Sequence, residues 1–219
     1  PYSEDPAIFS WQIGNEPRCF RADQEGQNAF VEWLWETASL IKSLDPNHMV
    51  SSGSEGMWGC EGSMALYEKI HSCPDIDYMN IHIWPYNWQW VTEDTLSENL
   101  PVAIENTDKY IDDHLAVAAK FGKPVVLEEF GFPRDGFQFA QGTPTTARDT
   151  YYSHVFGRIA DSAAEEGLFA GVNFWGWGGL ASQSDTNIYW KRGDDYCGDP
   201  AQEQQGLNSV YVSDASTVA

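Results

Sequence analysis

Two acidic residues, Glu16 and Glu129, each follow an apolar, strand-like stretch at the point where that stretch ends. In a barrel of parallel strands, the residues at the C-terminal strand ends converge on one active face. Two carboxylates that face each other there can cleave a glycosidic bond, one as the acid and the other as the nucleophile or base. The sequence therefore predicts polysaccharide hydrolysis, with Glu16 and Glu129 as the catalytic pair.

Predicted strands and helices, which must position these two acids, alternate along the chain. The apolar stretches predict strands over residues 8–14, 48–52, 76–83, 124–127 and 168–174. Apolar residues at helical spacing, and the turn residues that end such segments, predict helices over 29–44, 64–71, 106–121 and 147–166. This repeating βα pattern is typical of an α/β fold with a parallel sheet.

Five βα units are too few for a closed (β/α)8 barrel, which typically takes about 250 residues. Two explanations fit a chain of 219 residues. It is a self-sufficient open α/β sheet, or it is the later part of a barrel whose first three units are missing or lie on another chain. The early position of Glu16 favours the second explanation. We expect residues 1–219 to form a single catalytic domain, the C-terminal portion of such a barrel.

Composition narrows the class of partner. The formal net charge of −21 excludes nucleic acid and disfavours an anionic membrane surface, because like charges repel. No stretch approaches the roughly 18 apolar residues that a membrane span requires. An uncharged polysaccharide meets no such penalty. The aromatic loop at 84–90 offers rings that can stack on sugars, although buried ring packing is the alternative for any single ring.

The cysteines do not form a metal-binding pattern. The chain contains neither a CxxC pair nor a histidine at ligand spacing from a cysteine, so we expect no metal, and no organic cofactor is needed for hydrolysis. One or two disulfides in an exported enzyme and free core thiols both remain open for the four cysteines: Cys19, Cys60, Cys73 and Cys197. We expect a secreted, periplasmic or cell-surface protein.

Several motifs together resemble glycoside hydrolase family 5. The stretches Trp-Gln-Ile-Gly-Asn-Glu-Pro-Arg at 11–18, Leu-Glu-Glu-Phe-Gly at 127–131 and Asn-Phe-Trp-Gly-Trp-Gly at 173–178 resemble the fourth, seventh and eighth strands of that family. Residues 48–56 and 81–88 resemble the fifth and sixth strands of its endo-β-1,4-mannanase branch. The resemblance implies a (β/α)8 TIM barrel, of which this chain holds the last five units, and retaining hydrolysis of mannan, glucomannan and galactomannan backbones.

The resemblance also implies roles for the acids. Glu16 becomes the acid/base and Glu129 the nucleophile, while Glu128 points away from the sugar because adjacent strand residues face opposite sides. A retaining pair stands about 5 Å apart, so that one carboxylate raises the pKa of the other and keeps the acid protonated.

Further site residues follow from the same likeness. Asn15 is expected to bind the sugar 2-hydroxyl, His82 to orient the catalytic pair, and Trp175 to form the stacking floor under the sugar. Arg18 is expected to neutralise a carboxylate or contact sugar, and Trp177 to line an outer subsite, each with a purely structural alternative.

The chain departs from the family pattern in two places. Trp84 stands where the family usually has a tyrosine bonded to the nucleophile, so either the indole N–H or Tyr86 is expected to supply that contact. The site residues of the second and third strands have no counterpart. Glu55 and Glu61, in the Gly-rich loop, are interpreted as solvated loop residues.

Two other functions remain open from the sequence. One is an endo-β-1,4-glucanase or xyloglucanase of the same fold. The other is a non-catalytic half-barrel that binds glycan or needs a second polypeptide carrying the first three βα units. Because an open barrel edge exposes strand groups and apolar surface, we expect this chain alone not to be a stable, active monomer.

Overall fold

Strands and helices alternate through most of the chain in a computed structural model that describes all residues 1–219. The strands are β1 (Ser10–Gln12), β2 (Met49–Ser51), β3 (Met79–Ile83), β4 (Val125–Phe130), β5 (Phe169–Phe174), β6 (Trp177–Gly179) and β7 (Val210–Tyr211). The helices are α1 (Gln24–Leu44), α2 (Met64–His71), α3 (Leu100–Phe121), α4 (Thr146–Ala164) and α5 (Ala215–Val218). Short 3-10 turns lie at Tyr2–Glu4, Trp58–Cys60 and Asp135–Phe137.

Every predicted strand and helix is present, and all but α2 have shifted ends. Helix α1 begins before the predicted residue 29 because the Asp23 side chain caps it by accepting from the Gly26 N–H at 2.9 Å. Helix α3 also begins earlier, whereas β1 is shorter than the predicted 8–14. The sequence pattern missed β6, β7 and α5, which are too short to carry a periodic signal.

The chain divides into two compact units. The first comprises residues 1–82, 111–128 and 162–171. In it β1 and β2 pair in parallel, with Ser10 opposite Met49 and Gln12 opposite Ser51. Helix α1 turns Phe30, Val31, Leu34 and Ala38 inward. The burial of these apolar side chains is the main force holding the helix in place.

The second unit comprises residues 83–110, 129–161 and 172–219. Strands β6 and β7 pair in parallel within it. Its core contains two completely buried arginines, Arg134 and Arg148. Arg134 pairs with Asp214, and the Arg148 guanidinium donates to the Phe132 and Ser209 carbonyl oxygens at 2.7 Å each. Because a buried charge is costly without such partners, these contacts fix the C-terminal segment.

A further sheet has the strand order β3-β4-β5. All five residues of β3 are buried, as expected for a strand covered on both faces. None of the helices combines the length and the apolar composition needed to cross a membrane. All four cysteines are free, and Cys60, Cys73 and Cys197 are buried, which agrees with the free-thiol alternative.

Candidate active site

Glu16 stands just beyond the end of β1, and the backbone holds it there. The pairing of β1 with β2 continues past both strands, since the Ile13 N–H donates to the Ser51 carbonyl and the Glu16 N–H to the Gly53 carbonyl, each at 3.0 Å. Glu16 itself has a φ of +48°, a left-handed conformation that costs energy in a residue with a Cβ. The side chain is therefore presented by a strained backbone that its neighbours enforce.

His82 lies against the Glu16 carboxylate within the first unit. Its Nδ1 is 2.9 Å from Glu16 Oε1, and its side chain is only 1% exposed. The His82 N–H donates to the Glu55 carbonyl at 3.2 Å, which fixes the backbone of β3 at this point. The structure thus places the predicted orienting histidine directly beside the predicted acid/base.

This contact acts on the pKa of Glu16. The hydrogen bond from His82 lowers the pKa below its ordinary value, burial opposes this, and the charges of His82 and Arg18 add to the lowering. The direction within the first unit is opposite to the raised pKa expected from the sequence, because a protonated imidazole that donates from Nδ1 stabilises the ionised carboxylate.

Arg18 joins Glu16 to a second acid. Its guanidinium pairs with Glu55 and lies 3.9 Å from Glu16 Oε2. Glu55 is 1% exposed, so its interpretation as a solvated loop residue is wrong; Glu61 is exposed and accepts from the Phe20 N–H at 2.9 Å. The strand-end position of Glu55, just after β2, is the signal that could have revealed it.

Glu128 is also tied into the first unit. Gln12 Nε2 donates to its Oε2 at 2.5 Å, and the Tyr78 hydroxyl donates to its Oε1 at 3.2 Å. Its Oε2 lies 4.0 Å from His82 Nε2. The sequence interpretation placed Glu128 away from the sugar and assigned it no role; in the structure its carboxylate lies beside His82.

In the second unit, Glu129 is half-buried near the end of β4, two residues before Gly131. A Cβ on Gly131 would lie 2.7 Å from the Trp84 ring and 2.8 Å from the Trp175 carbonyl oxygen. The Trp175 N–H donates to the Phe130 carbonyl at 2.8 Å. Trp84 and Trp175 therefore lie beside the backbone that follows Glu129.

The remaining predicted residues lie at the surface or pack on neighbours. Trp177 is 55% exposed, with its ring 6.4 Å from that of Phe174, so much of its face is open to solvent. Tyr86 packs its ring 4.9 Å from Phe137. Asn15 is exposed directly before Glu16.

A cleft of about 870 Å³ lies elsewhere in the second unit. It is lined by residues at the start of α4 and in the C-terminal segment, including Thr145, Asp149 and Ser216. None of the predicted site residues lines it, so its size alone does not mark it as the active site.

Comparison with known proteins identifies the family. The model of "GH family 5 beta-mannosidase-like" proteins matches residues 1–219. The chain belongs to glycoside hydrolase family 5. This family 5 chain is similar to the mannan endo-1,4-beta-mannosidase 1 of Arabidopsis thaliana, with 31% identity over 89% of this chain and 47% of the relative. It is also similar to the mannan endo-1,4-beta-mannosidase F of Aspergillus clavatus, with 35% identity over 61% of this chain and 30% of the relative.

Solved structures give the fold. A family 5 mannosidase from Rhizomucor miehei superposes with a TM-score of 0.84 at 32% identity, over 99% of this chain and 50% of that one. An endo-beta-1,4-mannanase from Thermotoga petrophila gives a TM-score of 0.67 at 28% identity, over 99% of this chain and 43% of that one. The fold is a partial (β/α) barrel, which confirms the predicted fold class. The family 5 chain spans about half the length of these relatives.

Proposed function

We propose that this chain carries the catalytic glutamates of a retaining endo-β-1,4-mannanase. The observation that carries the proposal is the Glu16 carboxylate, held by a strained backbone at a strand end with His82 Nδ1 at 2.9 Å. The names of the relatives, mannan endo-1,4-beta-mannosidases, support mannan as the substrate class.

The proposed reaction has two displacements. Glu129 attacks the anomeric carbon and forms a covalent glycosyl-enzyme, while Glu16 gives its proton to the departing glycosidic oxygen. Water then attacks the same carbon, Glu16 takes a proton from that water, and the Glu129 carboxylate leaves. The product keeps the β configuration because the carbon is inverted twice.

In these two steps the Glu16 side chain must act first as an acid and then as a base. The lowered pKa of Glu16 suits the second step, in which an ionised carboxylate is needed. For the first step Glu16 must carry a proton, and His82 Nδ1, 2.9 Å from Oε1, is a group from which Glu16 can take it. His82 therefore acts with Glu16 in proton transfer, in addition to orienting it.

The other predicted residues bind the substrate in this proposal. Asn15 binds the 2-hydroxyl of the sugar at the cleavage point, and Trp175 stacks beneath that sugar. Arg18, Trp84 and Trp177 contact neighbouring sugars. The proposal includes no metal or organic cofactor, and export from the cell stays a prediction.

Release of reducing sugar tests the proposal. Residues 1–219, together with a segment that supplies three further βα units, form what is here called the full-length protein. It is assayed on β-1,4-mannan, with cellulose and xyloglucan as comparison substrates at equal mass concentration. We expect mannan to be depolymerised preferentially and the Glu129→Ala variant to be inactive. Equal or greater rates on cellulose or xyloglucan would reassign the substrate to a glucan.

A further inference from the structure

The carboxylate of Glu128 is fixed from two sides by neutral donors. Gln12 holds Oε2 and Tyr78 holds Oε1, and the Tyr78 hydroxyl is also 2.8 Å from the Ser10 hydroxyl. The side chain is 14% exposed. Glu128 is therefore an anchored anion whose position is set by strand residues of β1 and by Tyr78, just before β3.

That anion faces His82 on the opposite side of the ring from Glu16. Glu128 Oε2 is 4.0 Å from Nε2, and Glu16 Oε1 is 2.9 Å from Nδ1. The longer separation is a charge contact rather than a direct hydrogen bond. Within the first unit, the imidazole thus lies between two carboxylates, and the cation Arg18 lies by Glu16 rather than by Glu128.

The position of the ring proton follows from this arrangement. A neutral imidazole has one N–H, and its surroundings decide which nitrogen carries it. An ionised Glu16 favours a proton on Nδ1, and the negative charge of Glu128 favours one on Nε2, so that Nε2 keeps its proton while Nδ1 and Glu16 share another. Nδ1 is then left to accept from a protonated Glu16 or, once protonated itself, to donate to an ionised Glu16.

We propose that Glu128 is a positioning residue that keeps a proton on His82 Nε2 and so reserves Nδ1 for proton exchange with Glu16. The role of Glu16 in this statement rests on the proposed function. Without Glu128, the neutral ring can carry its proton on Nδ1 and donate to an ionised Glu16. In that state Glu16 is ionised and lacks the proton that it must donate in the first step.

Nitrogen NMR of the full-length protein with 15N-labelled histidine tests the proton position without any substrate. The His82 signals are assigned by their loss in His82→Phe. Glu128→Gln removes the charge and keeps the size, and Glu128→Ala removes the group. Glu68→Ala, which removes a partly exposed carboxylate of α2 that pairs with Lys120, is the matched control. We expect Nε2 to be protonated in the wild type and the control, and a measurable Nδ1–H population in both Glu128 variants.

The proposal is overturned if His82 keeps its proton on Nε2 in both Glu128 variants, or carries it on Nδ1 in the wild type. Either result would leave Glu128 with only a structural role towards Gln12 and Tyr78. Because this readout does not need turnover, it stands even if the wild type fails to hydrolyse mannan, a failure that would overturn only the proposed function.

Kinetics gives a second readout on the active enzyme. We expect Glu128→Gln to lower kcat by roughly 10- to 100-fold with KM nearly unchanged, as for residues that orient a catalytic group from behind. Unchanged kcat would contradict the proposal. Recovery of Glu128→Ala activity by added azide would also overturn it, since a small anion replaces a missing nucleophile and would identify Glu128 as that group.

Discussion

At the scale of single residues, Glu16 is subject to two opposing requirements. Catalysis begins with a protonated acid, yet the hydrogen bond from His82 stabilises the carboxylate and lowers its pKa. The two requirements are compatible if one proton is shared between Oε1 and Nδ1 across their 2.9 Å separation. The pH dependence of catalysis should therefore report on His82 as well as on Glu16.

Replacing His82 by phenylalanine should move the alkaline limb of kcat/KM to lower pH. In the wild type the proton shared between Oε1 and Nδ1 stays bound as long as either group holds it, whereas in the variant Glu16 must hold it alone, so the proton is lost at lower pH. The measurement is a pH profile on a soluble mannooligosaccharide. His154→Phe, which removes a histidine 2.8 Å from Asp108, is the control, and its alkaline limb should not move. An unmoved limb in His82→Phe would contradict the assignment of the acid.

The two adjacent acids of β4 should respond differently to substitution. Glu129→Ala should abolish turnover because it removes the nucleophile, whereas Glu128→Gln should retain measurable turnover. Glu16→Ala should lower kcat by about 10²- to 10⁴-fold on mannan, the usual range for general acid–base catalysis. Steady-state kinetics on the three variants checks this, and an inactive Glu128→Gln beside an active Glu129→Ala would show that the register is wrong by one residue.

At the scale of elements, the contact between the ends of β1 and β2 depends on Gly53. Its φ is +74°, and an added Cβ would collide with the Gly14 carbonyl oxygen. The Gly53 carbonyl also accepts from the Glu16 N–H. This glycine therefore permits the close approach that sets the backbone of the acid.

Gly53→Ala should destabilise the fold much more than Gly62→Ala. Both glycines have nearly the same left-handed φ, +74° and +75°, but the Cβ at Gly62 would meet nothing within 4 Å. The backbone cost of about 1 kcal/mol applies to both, and the collision adds roughly 1–3 kcal/mol at Gly53 alone. Urea unfolding of the two variants measures the difference. Equal losses would mean that the two strand ends are not packed as described.

Strong periodic or apolar patterns made most elements predictable from the sequence. Helix α2 was predicted with its observed ends, Met64–His71, and in the structure the Ser63 side chain caps it by accepting from the Leu66 N–H. Strands β6 and β7 could not be predicted, since three residues and two residues carry no period. The burial of Glu55 could not be predicted from its Gly-rich loop. Its partner, Arg18, is distant in the sequence, and the composition of a loop does not show such a contact.

At the scale of the molecule, the chain covers about half the length of its family 5 relatives. Large apolar side chains near β1 are open to solvent: Tyr2 is 75%, Phe9 70% and Phe20 79% exposed. Exposed apolar surface of this kind is typical of an interaction surface. We propose that the remaining part of the relatives' length, on the same or a second polypeptide, covers it.

Residues 1–219 alone should therefore hydrolyse mannan poorly. Addition of a segment of roughly 100–150 residues that carries three further βα units should raise both activity and thermal stability. Mannan assays and thermal unfolding, with and without that segment, make the comparison. A monomeric 219-residue protein that unfolds cooperatively and hydrolyses mannan at full rate would contradict this expectation.

The stereochemistry of hydrolysis distinguishes the two-glutamate double displacement from a single displacement. Proton NMR follows the anomeric signals in the first minutes after the complete protein is mixed with a mannooligosaccharide, before the sugar mutarotates. Double displacement by Glu129 with Glu16 as acid/base predicts that the β anomer appears first and the α anomer grows in later. Initial release of the α anomer would contradict the two-glutamate retaining mechanism.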